Sequence, residues 1–290
     1  MGTVLVTGGA GSLGKCVAQR LCKEGYTVRV FDLPKMDFTG LEGEEGIEVL
    51  RGDITQLTSV QQAVESVSAV IHLAALLPPA SEQRRELTFT VNVEGTTRVA
   101  EVLKRVNPDA PLVFSSSVSI YGDTTGVKPP VTVGRPQQAL DIYAESKITA
   151  ERSLRQSYPN AVILRISGIS VPSIQLPPEV WPFTVDQRIE FIHRDDVVAA
   201  LCNAVRTERA KGQVFNIAGG VTWQTTGRAY VKDYYDLLGV PIEEACFQKH
   251  PGWCDWYDTE ESQRVLRYQN TSYQAYLGQL CDEIEKMMQM

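Results

Sequence analysis

Two side chains of this chain are spaced for proton chemistry. Tyr143 and Lys147 stand at i and i+4 within "YAESK", so on a helix they share one face. A free tyrosine has a pKa of about 10, too high for a base at neutral pH. A cation held about 4 Å away in an effective dielectric near 20 is worth about 4 kcal/mol, roughly three pKa units. That would bring the phenol toward neutrality, where it can take or give a proton. A solvated helix face carries the same spacing, so the pair gains meaning only from its company. That company is "TGGAGSLG", Thr7 to Gly14, directly after the apolar run "TVLV". Gly9, Gly11 and Gly14 fit G-x-G-x-x-G, and Gly8, Gly11 and Gly14 fit G-x-x-G-x-x-G. Between a strand and a helix, such a loop lets the backbone, through Ser12 and Leu13, approach a pyrophosphate at the helix N-terminus. Asp32 ends the next apolar run, 18 residues after Gly14. A carboxylate there accepts hydrogen bonds from a ribose 2′-OH and repels a 2′-phosphate, which favours NAD over NADP. A plain tight turn beside a solvated acid is the bland alternative.

The elements that must position these groups alternate over the first 170 residues. "TVLVTGG", "TVRVFD", "IEVLRGD", "AVIHLAA", "PLVFSSS" and "AVILRIS" read as strands. "SLGKCVAQRLCKEG", "VQQAVESV", a long segment from about Glu82 to Val106, and "YAESKITAERSLRQSY" read as helices. Such alternation predicts an α/β fold with a doubly wound parallel sheet of the Rossmann kind. After Ser170 the rhythm breaks into the proline-rich "VPSIQLPPEVWPF". "RIEFIHRDDVVAALCNAV" follows as a short strand entering a helix, "QVFNIAGG" as a strand, and "GRAYVKDYYDLLG" and "TSYQAYLGQLCDEIEKMM" as helices. Residues 1–170 are expected to form the nucleotide-binding domain. Residues 171–290 are expected to form mostly a small, discontinuous substrate cap, with about 190–220 returning to the core.

Composition narrows the function classes. The chain has 290 residues, 43% hydrophobic and 22% charged, with a formal net charge of −7. That balance argues against nucleic acid or an anionic membrane as a partner. No apolar run reaches bilayer length, and the first apolar residues lead into the glycine loop without a basic region, so a cytoplasmic location is expected. The six cysteines form no C-x-x-C pair, so reduced thiols and no metal site are expected.

The glycine loop, "GDIT", "HLAA", "NVEGT", "SSSVSIYG" and Tyr-x-x-x-Lys occur in one order. In that order the chain resembles the extended short-chain dehydrogenases/reductases, in particular the NAD-dependent epimerase/dehydratase family, with some similarity to its 3β-hydroxysteroid-dehydrogenase-like branch. The likeness is close over about residues 3–170. It implies that Asp53 and Ile54 flank the adenine and that Leu73, Ala74 and Ala75 line the cofactor. Asn92 would support the active-site helix, Ser115 would lie near the nicotinamide, and Ile166 would offer a backbone contact. Ser117 would hydrogen-bond the reacting oxygen, Tyr143 would be the acid/base, and Lys147 would bind the ribose and lower the tyrosine pKa. A homodimer paired through the helices near Glu82–Val106 and Tyr143–Tyr158 is a further implication. His72 and His193, each in an apolar strand, read as packed and hydrogen-bonded.

The chain also departs from the family pattern. Val118 and Ser119 stand where sugar-nucleotide 4,6-dehydratases carry Asp-Glu. Ile189 stands where nucleotide-sugar enzymes carry a diphosphate-binding Arg, and the neighbouring Arg188 would face the opposite side of a strand. The segment between Ser170 and "EFIH" is only about twenty residues, implying a smaller or more open pocket. Trp181, Trp253 and Trp256 read first as packing residues of the cap, with an aromatic platform for a ring substrate as the alternative. These features favour a dehydrogenase or reductase acting on a secondary alcohol or ketone. A nucleotide-sugar epimerase with retained NAD and a non-catalytic NAD-binding scaffold or sensor are the alternatives.

Overall fold

The computed structural model describes residues 2–289. In chain order the first half runs β1 (Thr3–Thr7), α1 (Ser12–Lys23), β2 (Thr27–Asp32), β3 (Ile47–Arg51), α2 (Leu57–Val64), β4 (Ala69–His72), α3 (Ala80–Gln83), α4 (Arg85–Phe89), a π-helical turn (Thr90–Gly95), α5 (Thr96–Val106), β5 (Leu112–Ser117), α6 (Ile142–Ser157) and β6 (Val162–Ile166). The second half runs β7 (Ile169–Ser170), β8 (Arg188–Glu190), β9 (Ile192–His193), α7 (Arg194–Arg206), β10 (Val214–Ile217), β11 (Gln224–Thr226), α8 (Gly227–Leu238), α9 (Glu260–Leu266) and α10 (Tyr273–Met288).

Seven strands make one parallel sheet in the order β10-β6-β5-β4-β1-β2-β3. Its central strands are apolar on both faces because both are covered. On one face α1 and α7 bury Val17, Leu21, Val197 and Leu201 against Val4, Val6 and Ile71. On the other, α2, α5 and α6 bury Val60, Val64, Leu103 and Leu154 against Leu5, Val70 and Phe114. The strand order reverses at β1 and β4, so a crevice opens beyond their carboxyl ends.

The long helix expected from Glu82 to Val106 is not one helix. Arg84 (φ −139°, ψ 63°) leaves helical geometry and splits α3 from α4. The Thr88 hydroxyl turns back to the carbonyls of Ser81 and Arg84, supporting the break. The π-helical turn then intervenes before α5 and carries Asn92.

After β6 the chain builds a second, smaller core. Trp181, Phe183, Ile189, Trp223, Tyr230, Tyr234, Tyr273, Tyr276 and Leu280 gather there from loops, β8, α8 and α10. β10 is the edge strand of the main sheet, and α7 covers its inner neighbours β4, β5 and β6. α9, not read from the sequence, also serves the main core through Leu266.

Candidate active site

The crevice is built from the glycine loop upward. Gly8 has φ +68°, and a Cβ there would stand 2.7 Å from the Ala74 backbone nitrogen. A Cβ on Gly14 would meet the Gly8 carbonyl at 2.3 Å. Only bare backbone fits a turn this close to β4. α1 therefore starts at Ser12 with Gly11 as its cap, and neither a capping side chain nor an acidic residue covers its first turn. Those free N–H groups make a place for an anion. Beside them, the Asp32 carboxylate accepts from the Ala10 and Leu33 backbone N–H groups at 3.1 and 2.8 Å, while burial raises its pKa.

One cavity of about 690 Å³ runs from this loop to the start of α6. Gly8, Gly11, Ser12, Leu13, Gly14, Asp32, Asp53, Ile54, Leu73, Ala74, Ala75, Ser115, Ser117, Tyr143 and Ile166 all line it. Asn92 and Lys147 do not. Both are buried behind the wall. Asn92 accepts from Leu76 N at 2.7 Å and donates to Leu76 O and Ser146 Oγ, tying the loop after β4 to α6. Lys147 donates to the Ser115 carbonyl at 2.8 Å and lies 5.6 Å from the centre of the Tyr143 ring. Sequence reading missed two cations of the wall, Lys35 and Arg84, and the Ser167 hydroxyl, which is buried without a partner.

The electrostatics correct one expectation. The Tyr143 phenol is pushed up, not down, first by burial and then by the Asp141 carboxylate that caps α6. Burial in turn brings Lys147 down to about 8, with Glu151 opposing. The ammonium spends a hydrogen bond on Ser115, and burial dominates at the phenol.

Both histidines are packed as expected. Thr96 Oγ1 donates to Asn92 O, so it accepts from His72 Nε2–H. His72 Nδ1 then accepts from Thr7 Oγ1, which accepts from Ala74 N. Burial and the Lys147 charge hold His72 near 3, so the ring is neutral and its tautomer fixed. His193 caps α7 and meets Gln279. Among the described residues no cluster of candidate metal ligands occurs and no helix is long and apolar enough to cross a membrane. All six cysteines are free.

Arg188 does face away from Ile189, which is fully buried in the cap core. Its guanidinium binds Asp255 at 2.6 and 3.0 Å and the Val127 carbonyl at 3.0 Å. It does not line the cavity. Trp181 packs among Phe183, Tyr230, Tyr234 and Tyr235, and Trp256 donates to Thr225 O.

The comparisons with known proteins agree with this geometry. A 3 beta-hydroxysteroid dehydrogenase/Delta 5→4-isomerase of Mycobacterium tuberculosis is 31% identical over 158 residues, 52% of this chain and 42% of that protein. The chain thus spans less than half the length of that curated relative. A short-chain dehydrogenase/reductase superfamily protein from Agrobacterium tumefaciens, solved with bound NAD, superposes with a TM-score of 0.80 at 23% identity, covering 99% of this chain and 98% of that one. UDP-glucuronic acid 4-epimerase from Bacillus cereus, in complex with NAD, gives 0.79 at 24%, covering 98% and 99%. The family model described as NAD dependent epimerase/dehydratase family matches residues 4–218. With the glycine cradle, the seven-stranded parallel sheet and this match across most of its length, the chain belongs to the NAD-dependent epimerase/dehydratase family.

Proposed function

We propose that this protein is an NAD-dependent oxidoreductase that transfers hydride at a secondary alcohol or ketone carbon. The observation that carries the reading is one continuous cavity that joins the glycine loop and Asp32 at one end to Ser117 and Tyr143 at the other. The residues present fit a dinucleotide: bare N–H groups at α1 for the pyrophosphate, Asp32 for the ribose diol, and Asp53 and Ile54 for the adenine. When bound, NAD supplies the hydride acceptor. Tyr143 takes the hydroxyl proton as the carbon is oxidised, or donates it to the carbonyl oxygen in reduction. Ser117 hydrogen-bonds the same oxygen. Lys147, held by the Ser115 carbonyl behind the cavity wall, keeps positive charge beside the phenol and would reach the ribose hydroxyls only by leaving that bond. A phenol raised in pKa stays protonated, which suits it to the donor's part in reduction.

The nucleotide-sugar epimerase reading loses its phosphate ligand, because Ile189 is buried and Arg188 is bound to Asp255. Calorimetric titration of the purified protein with NADH and NADPH tests the proposal. NADH is expected to bind reversibly and at least ten-fold more tightly than NADPH, with Asp32→Asn narrowing the gap. Absence of NADH binding sinks the reading, and cofactor that survives purification points to the epimerase. The resemblance also supports a homodimer through α5 and α6, which lie side by side; light scattering at micromolar concentration decides it.

A further inference from the structure

A second cavity, of about 300 Å³, lies under the cap and meets the first at Ile169, which lines both. The chain passes from one to the other along the end of β6: Ser167 lines the first, Gly168 the second. A Cβ on Gly168 would stand 2.6 Å from the Phe191 ring, so this wall is closed by an aromatic face. Aromatic side chains, Phe191, Trp181, Trp253, Tyr230, Tyr234 and Tyr276, are the largest group in the lining, beside aliphatic residues and the uncharged Ser170, Ser173 and Gln175. No Asp, Glu, Lys, Arg or His lines it. Arg188, the basic residue beside the buried Ile189 of β8, is bound to Asp255 and lines neither cavity.

The polar groups narrow the ligand further. Tyr234 is satisfied within the protein, donating to Gln175 O and accepting from Gln175 N. Trp181 is 8% exposed, and its indole N–H has no partner. That nitrogen has no accessible surface, so it lies behind the cavity wall and offers a ligand no donor. An ionised phosphate or carboxylate placed here would lose its hydration without gaining a counter-charge. The volume lies at the small end of ligand sites.

We propose that the cap cavity holds the body of an uncharged, largely apolar substrate of one or two rings and excludes nucleotide diphosphates and carboxylates. The assignment rests on the oxidoreductase reading above, which places the reacting carbon at Ser117 and Tyr143 in the first cavity, joined to this one at Ile169.

The test is calorimetry on the full chain, with and without saturating NADH, using three probes: 2-decalone, 4-oxocyclohexanecarboxylate and UDP-glucose. 2-Decalone is expected to bind at least ten-fold more tightly than the carboxylate, and UDP-glucose to give no binding. Leu176, a lining residue 94% exposed at the rim, can be changed without disturbing the fold. Leu176→Arg should narrow the gap between ketone and carboxylate. UDP-glucose or the carboxylate binding as tightly as the ketone in the wild-type protein overturns the proposal. So does 2-decalone failing to bind at millimolar concentration, or an unchanged gap in Leu176→Arg. NADH binding is read separately. If NADH fails to bind while 2-decalone binds, the oxidoreductase reading falls and the cavity's preference stands; NADH binding beside tight UDP-glucose binding gives the reverse.

Discussion

Tyr143 and Lys147 sit one turn apart on α6, yet burial acts on them in opposite senses. It raises the phenol and lowers the ammonium to about 8. Tyr143→Phe is expected to leave NADH affinity nearly unchanged and to cut turnover roughly 10²–10⁴-fold, the usual contribution of a positioned acid or base; stopped-flow turnover beside calorimetric titration checks both halves. Lys147 is cationic below about pH 8 and loses its charge as the pH rises through that value. NADH binding should therefore weaken above about pH 8, and in Lys147→Arg that break should move out of the accessible range. A titration series between pH 6.5 and about 9.5 reads it out. At this scale the sequence was legible wherever function depends on local spacing. The glycine loop, Asp32 and the Tyr–Lys pair needed only one strand, one turn or one helix to place them. Lys35 and Arg84 were not legible, because the paths of two loops set their place in the wall. The sense of the Tyr143 shift was hidden too, since it depends on how many neighbours exclude water from the ring.

The start of α6 is held from outside as well as from within. Asp141 caps it at Ala144, while the Glu82 carboxylate accepts from the backbone N–H groups of Ile142 and Tyr143 at 2.9 and 3.1 Å. Short α3 thus pins the residue proposed to carry the proton, and the break at Arg84 lets Glu82 turn toward α6 instead of continuing one helix. Glu82→Ala removes both acceptors. We expect a loss of about 1 kcal/mol in stability, as for a missing helix cap, and a fall in kcat larger than any change in NADH affinity, with Glu82→Gln restoring part of it. Equal losses in kcat and cofactor affinity would mean that the contact only holds the fold. Periodicity reported the seven strands of the main sheet and most of the longer helices because their burial repeats along the chain, while the short β7 and β11 went unread. It could not report the break in 82–106, because Arg84 is a good helix former and the interruption answers to tertiary partners.

For the molecule as a whole, the cap is fastened to the sheet by buried carboxyl groups. Glu190 at the end of β8 accepts from Gly220 N, Tyr257 N and Gln224 Nε2, and burial pushes its pKa up to about 7. Between its ordinary value of 4.5 and about 7 the folded chain keeps a proton that the unfolded chain has released, so this group's contribution to stability falls as the pH rises through that window. The shift corresponds to roughly 3 kcal/mol. Thermal denaturation should show a decline in Tm from pH 5 to about 8 that flattens in Glu190→Gln; an equal slope in both would remove the assignment. Asp255 makes the companion fastening, accepting from Thr124 Oγ1 at 2.5 Å across 131 residues of sequence and pairing with Arg188. That distance along the chain has a consequence for synthesis. A ribosome has already delivered the glycine loop, Asp32, Ser117, Tyr143 and Lys147 before it begins the segment that contains Asp255. The nascent protein can assemble its nucleotide cleft first, and through that interval Arg188 waits without the carboxylate that later latches the cap.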